Sequence, residues 1–221
     1  MFDPPSSHRA EMIGAPGSGK SWLWAVLGER LGDVVLTPAA AAEAPRPGRL
    51  EALRDDPRTV AFLEEGRRML DRGDADETLR RRRKQWLSRE LATVLDAEAA
   101  GRPVLCDEGV IQRGMSVANS YGDAAAVAER YFRMVPPPRA VVAIATPRAL
   151  IAERITARGP RQAAHLRDLE ATLAHVATGL RILGERGTAI VAADGARLAA
   201  GNETELARIA QALRAALTGN A

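Results

Sequence analysis

The stretch Gly14-Ala15-Pro16-Gly17-Ser18-Gly19-Lys20-Ser21 constrains this chain more than any other part of it. It matches the pattern G-x-x-x-x-G-K-[ST] at every fixed position. Glycines let a backbone turn tightly and direct successive N–H groups at one point, where an anion can bind. The stretch therefore predicts a loop that binds the phosphates of a nucleotide and lies between a strand and a helix.

The residue types of this P-loop predict separate roles. The Lys20 ammonium can reach the β- and γ-phosphate oxygens, and the Ser21 hydroxyl can ligate Mg²⁺. A short strand at 11–13 precedes the loop, and an amphipathic helix follows it. The residues expected to contact the nucleotide here are Gly14, Gly17, Ser18, Gly19, Lys20 and Ser21.

Short apolar runs alternate with helical patterns along the whole chain. The runs are residues 11–13, 34–36, 103–106, 141–144 and 189–192. Strands of this kind, separated by helices, indicate a parallel sheet covered on both faces. We therefore expect one α/β domain over residues 1–221, with three layers and a five-stranded sheet. Ligands should gather at the carboxyl ends of the strands.

Composition narrows the class of protein. A hydrophobic content of 46% and a charged content of 27% are ordinary for a globular protein. No apolar run approaches the roughly 20 residues of a membrane span, and residues 1–9 have no apolar signal core. We expect a cytoplasmic protein without a membrane partner. Cys106 lies in an apolar run, which favours an inert buried thiol.

A pair of acidic residues, Asp107 and Glu108, directly follows the apolar run at 103–106. A carboxylate at such a strand end can order the water shell of Mg²⁺ or accept a proton from an attacking hydroxyl. Asp107 is the candidate for the metal, and either residue is a candidate for the base. Arg113 follows six residues after Asp107 and is a candidate for binding the acceptor or the transferred phosphoryl group.

A third group of candidates is a series of arginines. Arg154 and Arg158 are four residues apart and therefore share one helix face, and Arg161 follows a Gly-Pro break. A segment of this kind, at about 148–168, can close over ATP as a lid, neutralise developing charge and exclude water.

With these features together, the chain resembles the P-loop nucleoside and nucleotide kinases, in particular thymidylate and adenylate kinases. The segment 153–158 is similar to the lid entry of adenylate kinases, which implies that Arg154 lies against adenine and that Arg158 reaches the phosphates. The segment Ala193-Asp194-Gly195 is similar to the adenine-contacting loop of the family. The resemblance implies ATP and Mg²⁺ as cofactors, with Lys20 and Arg158 stabilising the transferred charge.

The chain departs from both families at the acceptor side. Thymidylate kinases usually have Asp-Arg where this chain has Asp107-Glu108, and adenylate kinases have Asp-Gly-aromatic-Pro-Arg. The acidic-Pro-Gly loop of the family is reduced to Thr37-Pro38. The resemblance places acceptor binding at about 37–90, where Arg83 could bind an acceptor phosphate. Phosphoryl donation from ATP is thus better supported than any particular acceptor.

Three functions remain open from the sequence. The first is a kinase acting on a hydroxyl or phosphate of a nucleoside, nucleotide or related small molecule. The second is a kinase acting on a hydroxyl of DNA or RNA, such as a hydroxymethylated base, with the basic run at 80–84 as a backbone-binding surface. The third is an ATPase or nucleotide switch. A homodimer is compatible with all three. Packing or helix-surface roles are expected for Trp22, Trp24 and Trp86.

Overall fold

Four parallel strands form the sheet, in the order β2-β1-β3-β4. The computed structural model describes residues 8–36, 57–99, 102–119, 121 and 124–219. The strands are β1 (Arg9–Ile13), β2 (Val104–Cys106), β3 (Ala140–Ala145) and β4 (Ala189–Asp194). In this register Glu11 lies opposite Cys106, and Met12 lies opposite Val142. The predicted α/β fold with a parallel sheet is confirmed.

The predicted strand at 34–36 is reduced to an isolated bridge, so the count of five strands needs correction. Of these three residues, only Leu36 pairs with β2, through a parallel bridge to Val104. Val34 and Val35 instead donate their backbone N–H groups to the Leu31 carbonyl, at 2.7 and 2.8 Å. The N–H groups of Val34 and Val35 are therefore bonded to the turn that ends the preceding helix, and they do not bond to a neighbouring strand.

The helices connect the strands and cover the sheet. In chain order they are α1 (Lys20–Arg30), α2 (Pro57–Arg72), α3 (Glu77–Ala99), α4 (Val110–Ala118), α5 (Ala124–Met134), α6 (Arg148–Ala157), α7 (Ala163–Arg167), α8 (Leu169–Glu185), α9 (Gly195–Ala199) and α10 (Glu203–Thr218), with a 3-10 turn at Pro160–Gln162. The predicted loop at 39–49 and the Thr37-Pro38 segment lie outside the described residues.

Three helical segments differ from the sequence prediction. Helix α4 was not predicted, because it is only nine residues long and its polar residues Gln112 and Arg113 are buried with the apolar ones. Helix α9 replaces an expected loop, since the Asp194 carboxylate accepts the backbone N–H groups of Ala196 and Arg197. Residues 166–185 have one continuous helical pattern in the sequence, but the structure divides them into α7 and α8 at Asp168.

Two hydrophobic clusters, one on each face of the sheet, account for the three layers. Ile13, Val141 and Ala143 face α2 to α5 and α8. The alternate residues Met12 and Val142 face α1 and α10. This alternation is the period of two of a strand, and it buries both faces of the sheet. No helix in the described ranges is both long and apolar enough to cross a membrane.

Candidate active site

The carboxyl ends of the strands meet at one edge of the sheet, and the P-loop lies there after β1. Gly17 and Gly19 have φ angles of 81° and 101°, in the left-handed region that glycine adopts without strain. The Ser18 N–H donates to the Ala15 carbonyl at 3.1 Å, which closes the loop. Helix α1 begins at Lys20, so its N-terminal N–H groups face the space that the loop surrounds.

Lys20 is buried inside this loop. Its Nζ donates to the carbonyls of Gly14 and Ala15, at 2.8 and 3.1 Å. Burial lowers the pKa of Lys20 to about 8, whereas the nearby charges of Glu108 and Asp107 raise it and that of Arg158 lowers it. A charged ammonium held only by two carbonyls can exchange them for phosphate oxygens, which carry the opposite charge.

Asp107 follows β2 and faces Ser21. Burial raises the pKa of the Asp107 carboxyl and the charge of Glu108 adds to this, while a hydrogen bond with Ser21 and the charge of Lys20 lower it. Its Oδ1 atom is buried and has no hydrogen-bond partner in the described part of the chain. An oxygen of this kind beside a serine hydroxyl is a donor set that fits Mg²⁺. The structure thus brings together the two residues predicted to hold the metal.

Glu108 is the more accessible acidic residue, with 47% of its side chain exposed. The Arg113 guanidinium holds it, through a 2.7 Å contact with Oε2, and also donates to Glu90 at 3.1 Å. The same guanidinium lies over the ring of Trp86, 5.0 Å from its centroid. Arg113 is therefore fixed from three sides, and it orients Glu108 toward the P-loop side of the site.

Gln112 is a site residue that the sequence analysis missed. Its side-chain amide donates to the Gly14 carbonyl at 3.2 Å and accepts the Gly14 N–H at 3.4 Å. It thereby joins α4 to the first residue of the P-loop. No sequence pattern marks this contact, because the two residues are 98 positions apart and meet only in the folded chain.

A buried ion pair within β1 supports the turn that carries Asp107 and Glu108. Arg9 Nε lies 2.7 Å from Glu11 Oε1, and both side chains are fully buried. The other Glu11 oxygen accepts the Ile111 N–H at 2.8 Å. Burial raises the pKa of Glu11, and the charge of Arg9 opposes that shift. At Gly109 a Cβ would overlap the Glu11 carboxylate, so this position has room only for glycine.

The P-loop opens into a cleft of about 520 Å³ on its β2 side. Its walls come from the P-loop, α3, α4 and the segment after α6. The lining includes Lys20, Ser21, Trp22, Trp86, Arg89, Glu108, Gln112, Arg113, Ser116, Arg158, Gln162 and His165. We refer to this space as the acceptor-side cleft.

A second cavity, of about 480 Å³, also borders the P-loop. Gly17, Gly19, Arg154, Arg158 and Gly195 line it, as do Ser18, Trp22, Leu198, Ala199 and Gly201. Arg154 donates to the carbonyls of Gly17 and Ser18, at 3.1 and 3.3 Å. We call this space the donor-side cavity. Of the residues for which the resemblance implied contact with adenine, Arg154 and Gly195 line this cavity, whereas Ala193 and Asp194 line another one.

The remaining predicted acceptor residues lie differently. Arg83 does not line the acceptor-side cleft among the described residues. Burial lowers the pKa of Arg83, and the nearby charges of Asp168 and Asp76 oppose that shift. The arginine of α3 that lines the cleft is Arg89, together with Trp86 of the same helix. The side chain of Arg161 is outside the described part of the structure. Roles for both remain predictions.

Comparisons with known proteins agree with this fold. A model of the AAA domain family matches residues 10–181. Among solved structures, a deoxyadenosine kinase from M. mycoides, determined with bound dCTP, matches with a TM-score of 0.51 and 11% sequence identity. The match covers 92% of this chain and 99% of that chain. The search of curated proteins found no match. The resemblance to P-loop kinases is thus confirmed for family and fold.

Proposed function

Because the chain belongs to the AAA domain family and has a P-loop kinase fold, we propose that it is an ATP-dependent kinase. It transfers the γ-phosphoryl group of Mg-ATP to a hydroxyl of a nucleoside, nucleotide or related small molecule. The observation that carries this proposal is the half-exposed Glu108 carboxylate, which shares one cleft with Lys20 and Ser21.

The donor side follows from the P-loop. Lys20 binds the β- and γ-phosphates after leaving its carbonyl partners, and the backbone N–H groups at the start of α1 contribute further donors. Ser21 and Asp107 hold Mg²⁺, which when bound neutralises charge on the phosphate oxygens. Arg158 lines both cavities and therefore lies between donor and acceptor, where it stabilises charge on the transferred group.

The acceptor side favours a hydroxyl. A phosphate acceptor needs no base, whereas a hydroxyl loses a proton as it attacks. Glu108 is exposed to the cleft and is held in place by Arg113, so it can accept that proton. Asp107 is more buried and hydrogen-bonds Ser21, which suits it better to the metal. The two acidic residues therefore divide the roles that the sequence left open between them.

Two matched substitutions test this division by measuring transfer of the γ-phosphoryl group. We expect Glu108→Gln to lower kcat by about 10²- to 10⁴-fold with little change in the KM for ATP. Arg113 keeps its contact with Glu90 in this variant, so the cleft wall should remain in place. Asp107→Asn should instead raise the Mg²⁺ concentration needed for half-maximal rate. Equal behaviour of the two variants would contradict the assignment.

A second candidate, a kinase acting on a hydroxyl of DNA or RNA, is favoured by one feature of α3. Arg82, Trp86 and Arg89 share one face of this helix; Trp86 and Arg89 line the cleft, and Arg82 lies over the Trp86 ring at 4.6 Å. Arg82 and Arg89 are exposed. A cationic surface that leads out of the cleft suits a phosphate backbone. For this function, binding of the chain to DNA should weaken steeply with salt.

A further inference from the structure

Trp22 is exposed at the mouth of the donor-side cavity. Of the large hydrophobic side chains in the described ranges, Trp22 and Ile190 stay exposed, and Trp22 is 51% exposed. Trp24, two residues later on the same helix, is partly buried and donates its Nε1–H to the Leu105 carbonyl at 2.8 Å. Trp24 therefore packs between α1 and the sheet, whereas about half of the Trp22 side chain is exposed.

The position of Trp22 places its ring beside any nucleotide on the P-loop. Trp22 is in the first turn of α1, directly after Ser21. Its side chain lines both the donor-side cavity and the acceptor-side cleft, as does Arg158. A nucleotide whose phosphates lie on the loop must extend its sugar and base away from the loop, and the donor-side cavity opens there.

The walls of the donor-side cavity suit a flat aromatic group. Leu198 supplies an apolar wall, and the planar Arg154 guanidinium is fixed by two P-loop carbonyls. Trp22 adds a large aromatic face with a polar N–H edge. An aromatic ring, a planar cation and an apolar wall recognise a nucleobase through stacking, which a sugar or a further phosphate does not provide.

We propose that the Trp22 indole stacks on the base of the nucleotide donor and makes the site prefer a purine to a pyrimidine. The preference follows because a two-ring base overlaps more of the indole than a one-ring base does. This inference rests on the proposed function, since it assumes that the donor phosphates bind at the P-loop. It assigns to this chain a determinant of donor specificity directly after the G-x-x-x-x-G-K-[ST] pattern of the loop.

Calorimetric titration with three probes tests this role. ATP, CTP and inorganic tripolyphosphate are each titrated in the presence of Mg²⁺ into wild type, Trp22→Leu and Trp22→Phe. We expect Trp22→Leu to weaken ATP binding about tenfold, to change tripolyphosphate binding by less than about twofold, and to reduce the preference for ATP over CTP. Trp22→Phe should keep most of the ATP affinity. Trp24→Phe, whose side chain lines neither cavity, is the matched control and should bind ATP as wild type does.

Two results would overturn the inference: unchanged ATP binding in Trp22→Leu, or an equal loss for ATP and tripolyphosphate. Lys20→Ala separates this failure from failure of the proposed function. If Lys20→Ala loses tripolyphosphate binding while Trp22→Leu binds ATP normally, only the role of Trp22 is wrong. If wild type binds no tripolyphosphate, or Lys20→Ala binds it as wild type does, the proposed function fails as well.

Discussion

Lys20 shows how the burial of one side chain prepares it for an anion. Its ammonium is held by two backbone carbonyls and by no carboxylate within hydrogen-bond distance among the described residues. Burial lowers its pKa to about 8, so the group is charged at neutral pH and loses its proton in mild base. A bound triphosphate stabilises the charged form and should raise the pKa again.

Nucleotide affinity should therefore depend on pH in a defined direction. Below pH 8 Lys20 already has its proton, and the Kd for Mg-ATP should be nearly constant. Above pH 8 the free protein must take up a proton on binding, and the Kd should rise by up to about tenfold per pH unit. Titration of ATP between pH 7 and 9.5 measures this, and the weaker binding that remains in Lys20→Ala should not change with pH. A wild-type Kd that stays constant to pH 9.5 would contradict it.

Single residues of the site differ in how far the sequence predicts them. Gly17, Gly19 and Lys20 are predictable because adjacent positions of one loop supply the whole geometry. Gln112 and Trp22 are not, since Gln112 reaches Gly14 only after β1 and α4 pack together, and the exposure of Trp22 depends on what α1 covers. Contacts over long separations in sequence leave no local pattern.

The elements of the fold are predicted where their period is clear. Strands β2, β3 and β4 appear in the sequence as apolar runs, and α3 and α10 as long helical patterns. The sequence predicts a strand at 34–36, where the structure has an isolated bridge at Leu36, and it does not predict α4. Both errors have the same cause. Tertiary packing, rather than the local preference of the residues, determines whether such short segments form a strand or a helix. The Arg9–Glu11 pair is a further case, because a buried strand with two charges is stable only when they meet.

The packing of α8 against α5 gives a stability prediction at the scale of the element. A Cβ at Gly179 would lie 2.7 Å from Cζ of Phe132, whereas a Cβ at Gly184 has its nearest neighbour, Ile190, at 4.0 Å. Gly179→Ala should therefore destabilise the protein by about 1–3 kcal/mol, since the buried Phe132 ring has little room to move. The matched control Gly184→Ala should stabilise it by about 0.5 kcal/mol, through helix propensity alone. Urea unfolding of both variants measures the difference, and equal effects would contradict the packing.

At the scale of the whole molecule, the parallel sheet brings the site together. Its strands end at one edge, which carries the P-loop after β1, Asp107 after β2 and Gly195 after β4. Both cavities border the P-loop, and they share Gly17, Gly19, Trp22 and Arg158. Under the proposed function, a nucleotide in one cavity and an acceptor in the other would meet at the P-loop beside Arg158.

The expectation of one domain has a thermal consequence. Unfolding should be a single cooperative transition, and Mg-ATP should shift the whole of it because the ligand binds only the folded chain. At 100 times the Kd the gain is about 2.7 kcal/mol, or about 5–10 °C in Tm for a chain of this size. Scanning calorimetry with and without Mg-ATP measures the shift in Tm, which should be present in wild type and reduced in Lys20→Ala. Two transitions, only one of which moves with ATP, would contradict a single domain.

Transfer of labelled γ-phosphate from Mg-ATP tests the central claim most directly. Wild type and Lys20→Ala would be supplied separately with pooled nucleosides and nucleotides, and with plain or hydroxymethylated DNA. The proposed function predicts that label enters the small-molecule pool with wild type and is lost with Lys20→Ala. Label that enters only the DNA would contradict the small-molecule acceptor in favour of the nucleic-acid kinase, and release of phosphate without any labelled acceptor would contradict kinase activity itself.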